Sequence, residues 1–248
     1  MHTWLVGTSG FSYPDWRGVF YPPHLPRKRW LEFYRNEFPI VELNATFYGT
    51  PRESTYRGWA AATGPAFQFV LKAPRLVSHV KRLAGCAQEL ERFWSPARIL
   101  GDALAAVLLQ TPPSLRFDVD LLDGFLASLP EGFPPLAWEV RHASFLVDEA
   151  LEWFEERRQT LVIADSGGRY PTTFAFTAPP AYLRFHGPAG LYTSPYSEAQ
   201  LAGYIAWVRA NVPRDATVYA FFNNDVGGHA VTNARQLRAL AGATGGSS

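Results

Sequence analysis

The sequence predicts a closed (β/α)8 barrel of the TIM type, and three observations carry that expectation. Eight short apolar runs of strand length recur along the 248 residues. Most intervals between them carry a helical period, and alternation of strand and helix is the pattern of a parallel sheet. No linker or break in composition divides the chain, and about 250 residues is the usual size of one such barrel. The expected domain is therefore residues 1–242, with the glycine- and serine-rich end, 243–248, read as a disordered tail. An open, doubly wound sheet is the competing architecture.

In chain order the runs are Trp4–Val6, Ile40–Leu43, Phe67–Leu71, Ala105–Leu109, Leu136–Val140, Leu161–Ala164, Tyr182–Phe185 and Val218–Phe222. Between the first two, Trp30, Leu31, Phe33, Tyr34 and Phe38 share a helical face. Leu122, Phe125, Leu126 and Leu129 follow an N-cap at Asp118 or Asp120. Ser197 and Gln200 make a capping-box signature ahead of Leu201, Tyr204, Ile205 and Val208, and Val231, Ala234, Leu237 and Leu240 form the last helical stripe. The interval between the sixth and seventh runs, "SGGRYPTTFAFTAPP", has no such period and many breakers, so no regular helix is expected there.

Composition narrows the function classes. The chain is 47% hydrophobic, with 23 basic and 22 acidic residues and a net charge of +1, so no global field favours a nucleic acid or an anionic membrane. The single cysteine, Cys86, excludes an internal disulfide framework and any all-cysteine cluster. No stretch approaches the ~20 apolar residues of a membrane span, and no signal-peptide pattern opens the chain. A cytoplasmic protein without membrane contact is expected. Oligomeric state is not legible.

Polar residues fall at one end of the runs. Glu42 and Asn44 close the second, Lys72 the third, Gln110 the fourth, Glu139 and Arg141 the fifth, Asp165 the sixth, Arg184 and His186 the seventh, and Asn223 the eighth. Strand side chains alternate with a period of two, so one assignment sends these groups into the barrel mouth and the bulky apolar residues toward the helices. Active sites of such barrels lie at that carboxyl end. Any one of these groups could instead belong to a buried ion-pair network, but ionisable groups clustered in a cleft favour function. His142 follows Arg141, and His79, in the long connection after Lys72, could fold back over the mouth.

The first loop, "GTSGFSYPDW", is rich in hydroxyls and aromatics. Its turn composition explains the glycines; Ser9 and Tyr13 are expected to meet a ligand, Tyr13 and Tyr48 as pocket walls and Arg17 as a cation nearby. "HGPAG" and "NNDVGGHA" sit where barrels often bind phosphate on backbone N–H groups. No Walker loop, GxGxxG, GxSxG or HExxH pattern appears. No cofactor and no metal ligand set is expected, which leaves room only for a loosely held divalent ion.

The stretches "GTSGFSYPDWRGVFYP", "FPIVELNATFYGTP", "FVLKAPRLVSH", "LLQTPPS", "WEVRHASF", "RFHG" and "FFNND" together resemble the YecE-like family, domain of unknown function family 72, from Gly7 to about Asn233. The resemblance implies a TIM-type barrel found in bacteria and archaea and carries no established activity, substrate or cofactor. Phe11 and Phe145 stand where tryptophan is common in the family; both keep an aromatic.

The residues suggest an enzyme using acid–base chemistry on a small phosphorylated or carboxylated substrate. Glu42 and Glu139 are its proton-transfer candidates and Lys72 an electrophile or base. Asn44, Gln110, Arg141, Asp165, Arg184, His186 and Asn223 would bind the substrate. A phosphodiesterase reaching nucleic acid through Arg17 and "PRKR", and a non-catalytic metabolite-binding module, are the competing readings.

Overall fold

Eight parallel strands form one sheet in the order β1-β8-β7-β6-β5-β4-β3-β2. The structure is a computed structural model and describes residues 2–243; the remainder of the expected tail lies outside the described residues. The strands are β1 (Thr3–Thr8), β2 (Ile40–Leu43), β3 (Gln68–Lys72), β4 (Leu104–Gln110), β5 (Leu136–Glu139), β6 (Thr160–Asp165), β7 (Ala181–Phe185) and β8 (Thr217–Phe222). Helices α1 (Trp30–Glu37), α2 (Ala45–Tyr48), α3 (Glu53–Thr63), α4 (Ala87–Ala97), α5 (Val119–Ala127), α6 (Asp148–Glu156), α7 (Glu198–Asn211) and α8 (His229–Ala243) fill the connections. Between β6 and β7 the chain runs without a helix, as its breakers predict.

Local signals and packing agree. Asp118 caps α5 by accepting from the Leu121 amide, and Ser197 and Gln200 close the reciprocal capping box of α7. The buried faces of these helices, such as Leu201, Ile205 and Val208 of α7, cover the outward residues of the strands. A second, smaller apolar cluster fills the barrel itself and includes Ile40, Val70, Leu108, Val162, Tyr182, Tyr219 and Phe221. The expectation that the bulky apolar residues face the helices thus fails for these inward side chains. A barrel of this width needs large inward side chains to fill its lower layers, and Tyr182, Tyr219 and Phe221 do so.

The barrel closes at a pinched seam. β1 and β2 meet only through a bridge between Ser9 and Glu42, reinforced by the Gly10 amide donating to the Glu42 carbonyl at 2.7 Å. Lower in the seam the Tyr34 hydroxyl, from α1, accepts from the Thr8 amide at 2.9 Å and donates to the Ile40 carbonyl at 3.1 Å. A phenol thus stands in for ladder bonds that the two strands do not make. Gly7 is part of this seam and not of a turn: a Cβ there would lie 2.1 Å from the Ile40 carbonyl oxygen. Glycine is required by the close approach of two backbones.

Candidate functional site

The inward phase of the strands carries a hydrogen-bonded chain of polar side chains across the carboxyl end of the barrel. Lys72 Nζ donates to Gln110 Oε1 at 3.0 Å, and Gln110 Nε2 donates to Glu139 Oε1 at 2.8 Å. The Arg184 guanidinium binds Glu139 through Nη1 and Glu42 Oε1 through Nη2, the latter at 2.6 Å. Glu42 Oε2 in turn accepts from the Tyr182 hydroxyl at 2.6 Å. Arg141 donates to Glu139 from Nε and Nη2, and His186 Nε2 lies 3.5 Å from the same carboxylate oxygen. Asn223 contacts the other ring nitrogen of His186 at 2.9 Å. Glu42, Lys72, Gln110, Glu139, Arg184 and His186 are all buried.

Electrostatics sort these groups. Burial alone would raise the Glu139 carboxyl, but Arg184, His186 and Arg141 outweigh it and hold Glu139 well below the usual carboxylate range. Burial opposes the charge of Arg184 too, yet Glu139 and Glu42 keep its pKa above the ordinary guanidinium value. Lys72 is different. Burial, assisted by Arg184 and against the pull of Glu139 and Glu42, pushes its ammonium down to about 8. Burial likewise lowers His186, and it lowers His79 to about 4 with help from Lys72 and Arg141. Three cationic side chains, Lys72, Arg141 and Arg184, therefore meet two carboxylates. Two buried polar atoms, Asn44 Oδ1 and Arg184 Nε, have no hydrogen-bond partner among the described residues.

Other expected residues take different places. Ser9 Oγ lies 3.5 Å from Arg184 Nη2 at the edge of the cluster, and the Tyr13 hydroxyl donates to the Ser9 carbonyl at 2.5 Å. His79 folds over the mouth, its ring 5.1 Å from that of Phe47. Asp165 does not join the cluster. Leu161, Ile163 and Asp165 share the outward phase of β6, and the Asp165 carboxylate accepts from Tyr204 of α7 at 2.8 Å and from the Gly167 amide. It lines a groove of about 400 Å3 with Phe174, Tyr204 and Trp207. His142 is one residue past the inward Arg141 and caps a short turn, accepting from the Ser144 amide. Arg17 is exposed on the Pro23 carbonyl and beside Trp30. Tyr48 is 83% exposed.

Trp16 of the first loop is wholly buried among Phe20 and Tyr21, with its indole N–H donating to the Asp225 carbonyl. Phe11 and Tyr13 are half-buried against the same core. The glycine-rich turns spend their amides locally: Ala189 and Gly190 both donate to Ser194 Oγ, and Gly228 and Ala230 donate to backbone carbonyls. The "PRKR" segment forms a short exposed turn in which Arg29 pairs with Glu32.

Three mouth residues escaped the sequence reading. Phe47, not Tyr48, lies against Lys72, with Nζ 4.3 Å from the ring centroid; the chain turns helical at Ala45, so strand phase no longer applies. Tyr170 lies under the Arg141 guanidinium at 4.2 Å and comes from the irregular β6–β7 segment, which has no period to read. Asp225, whose carboxyl is pushed up to about 6 by burial and by Asp15, stands near Tyr13 in the loop after β8; the chain leaves the strand after Phe222 and Asp225 opens a helical turn, so strand phase does not place it.

Among the described residues no group of three or more His, Cys, Asp or Glu side chains is placed to hold a metal ion, and no helix is long and apolar enough to cross a membrane. A cavity of about 510 Å3 opens at the opposite end of the barrel, between Pro179, Pro180, Pro213 and Tyr219, away from the cluster.

The chain is 25% identical to the UPF0759 protein YunF of Bacillus subtilis over 95% of its own length and 93% of that protein's. Its fold matches a crystal structure of a DUF72 family protein from Thermotoga maritima with a TM-score of 0.85 and 33% identity, covering 96% of this chain and 99% of that one. A DUF72 family protein from Enterococcus faecalis matches with a TM-score of 0.83 at 22% identity, over 97% and 96% of the two chains, which speaks for the fold alone. The family profile described as protein of unknown function DUF72 spans residues 5–247, and the chain belongs to that family.

Proposed function

We propose that the barrel mouth is an enzyme active site that binds a small phosphorylated or carboxylated compound and moves a proton on it. One observation carries the reading: a continuous chain of hydrogen bonds from Lys72 to Tyr182 crosses the mouth, and with Arg141 bound to Glu139 it sets three basic side chains against two carboxylates. In this reading Glu42 and Glu139 fix Arg184, and Glu139, held far below the usual carboxylate range, is a weak base. Arg141, stacked on Tyr170 at the rim, is the cation placed to meet the anion. Lys72, its ammonium pushed down to about 8 at one end of the chain, is the proton carrier. Asn44, Gln110, His79 and Asn223 orient the ligand around it.

Crystals grown in phosphate, or soaked with a phosphorylated three-carbon acid, test the reading. Anion density between Arg141 and Lys72 is the expected result. Density confined to surface arginines such as Arg29 contradicts it.

A further inference from the structure

We infer that Lys72 is a carbonyl-capturing amine, forming an imine with a small aldehyde or ketone whose anionic group rests on Arg141. This deepens the reading of the mouth as an anion site and rests on it. The chain has three lysines, and they differ in a way that matters for such chemistry. Lys28 is exposed in the turn before α1. Lys81 is held in an ion pair, donating to the Glu89 carboxylate at 2.8 Å and to the Gly85 carbonyl at 2.9 Å. Lys72 is buried, its hydrogen-bond partner is the neutral amide of Gln110, and it makes no ion pair among the described residues.

An ammonium in that place is poorly solvated. The Phe47 face, 4.3 Å from Nζ, favours the charged form only modestly. Burial and the neighbouring Arg184 and Arg141 oppose it, and the balance leaves a substantial fraction of free amine near neutral pH. Desolvated lysines beside other cations are the ones that attack carbonyl carbons. Orientation is supplied as well: Gln110 is anchored through Nε2 on Glu139, so its oxygen holds Nζ at the mouth.

The step balances without an oxidant or reductant. The Nζ lone pair forms the C–N bond while the carbonyl π pair moves to oxygen. A proton passes from nitrogen to that oxygen, a second proton is added to it, and the C–O bond breaks. One water leaves as the C=N bond forms. His79, held neutral beside Phe47, is placed to relay the proton.

Reductive trapping tests the inference. The intact protein is incubated with pyruvate or with glycolaldehyde phosphate and sodium cyanoborohydride, then mapped by peptide mass. Among the lysines, the reduced adduct is expected on Lys72 in excess over Lys28 and Lys81 by on the order of tenfold or more, as the difference in free amine requires. It is lost in Lys72→Arg, and its rate levels off above a pH of about 8. Label spread over the lysines by exposure, or absent from Lys72, overturns the inference. If phosphate still binds in the mouth while Lys72 stays unlabelled, the imine falls and the anion site stands. If neither is seen, both fall.

Discussion

Arg184 Nη2 lies 2.6 Å from Glu42 Oε1 with both side chains buried, and the same guanidinium also holds Glu139. The pair is a structural keystone as well as a charge in the mouth. Removing Arg184 leaves the buried Glu42 carboxylate without an ion-pair partner and Glu139 with Arg141 alone, which costs about 3–5 kcal/mol. Arg184→Ala is therefore expected to lower unfolding free energy by that amount in urea titrations. A loss below about 1 kcal/mol, the value of an exposed pair, would show that the network is solvated.

The seam makes a separate prediction about stability. Tyr34→Phe removes a hydroxyl that serves both the Thr8 amide and the Ile40 carbonyl, and leaving such buried groups unpaired costs about 1–3 kcal/mol. Tyr56 is an internal control, since its hydroxyl is buried with no hydrogen-bond partner. Tyr56→Phe should be neutral or stabilising. Equal melting temperatures for the two variants would mean that the phenol does not hold β1 to β2.

Lys72 should leave a mark on the pH dependence of stability. Its folded-state pKa is about 8 against an ordinary 10.5, so between those values the unfolded chain binds the extra proton and stability rises with pH. The cost of the buried ammonium is present in full below about pH 8 and disappears above about pH 10.5. The stability of the unmodified protein relative to Lys72→Met should therefore rise by up to about 3 kcal/mol across that window. A difference that does not change with pH would mean that Lys72 is solvated as an ordinary ammonium.

Much of this molecule was legible in order and phase. Period-two alternation sufficed to bring Glu42, Lys72, Gln110, Glu139, Arg184, His186 and Asn223 to one end of the barrel, because strands are geometrically simple. It failed at Asp165, where the polar residue occupies the phase of Leu161 and Ile163 and turns to Tyr204. Phe47 and Tyr170 lay beyond its reach, since a helical turn and an irregular connection carry no strand phase. Gly7 was misread for another reason. Glycines and aromatics in a loop sequence do not reveal whether the loop covers a ligand or packs under a helix, and here they seal a seam and a core.

The central claim is that the mouth binds a small anion through Arg141, and calorimetric titration with phosphate tests it most directly. Arg141 is largely buried against Glu139 and Tyr170, and truncating such a charged partner costs about 2 kcal/mol or more, roughly 30-fold in affinity. Arg29 is exposed and paired with Glu32, so Arg29→Ala should change affinity by no more than about twofold. The account predicts that Arg141→Ala abolishes or strongly weakens binding while Arg29→Ala leaves it intact. Equal losses in the two folded variants, or an unmodified protein that binds no phosphate, would contradict it.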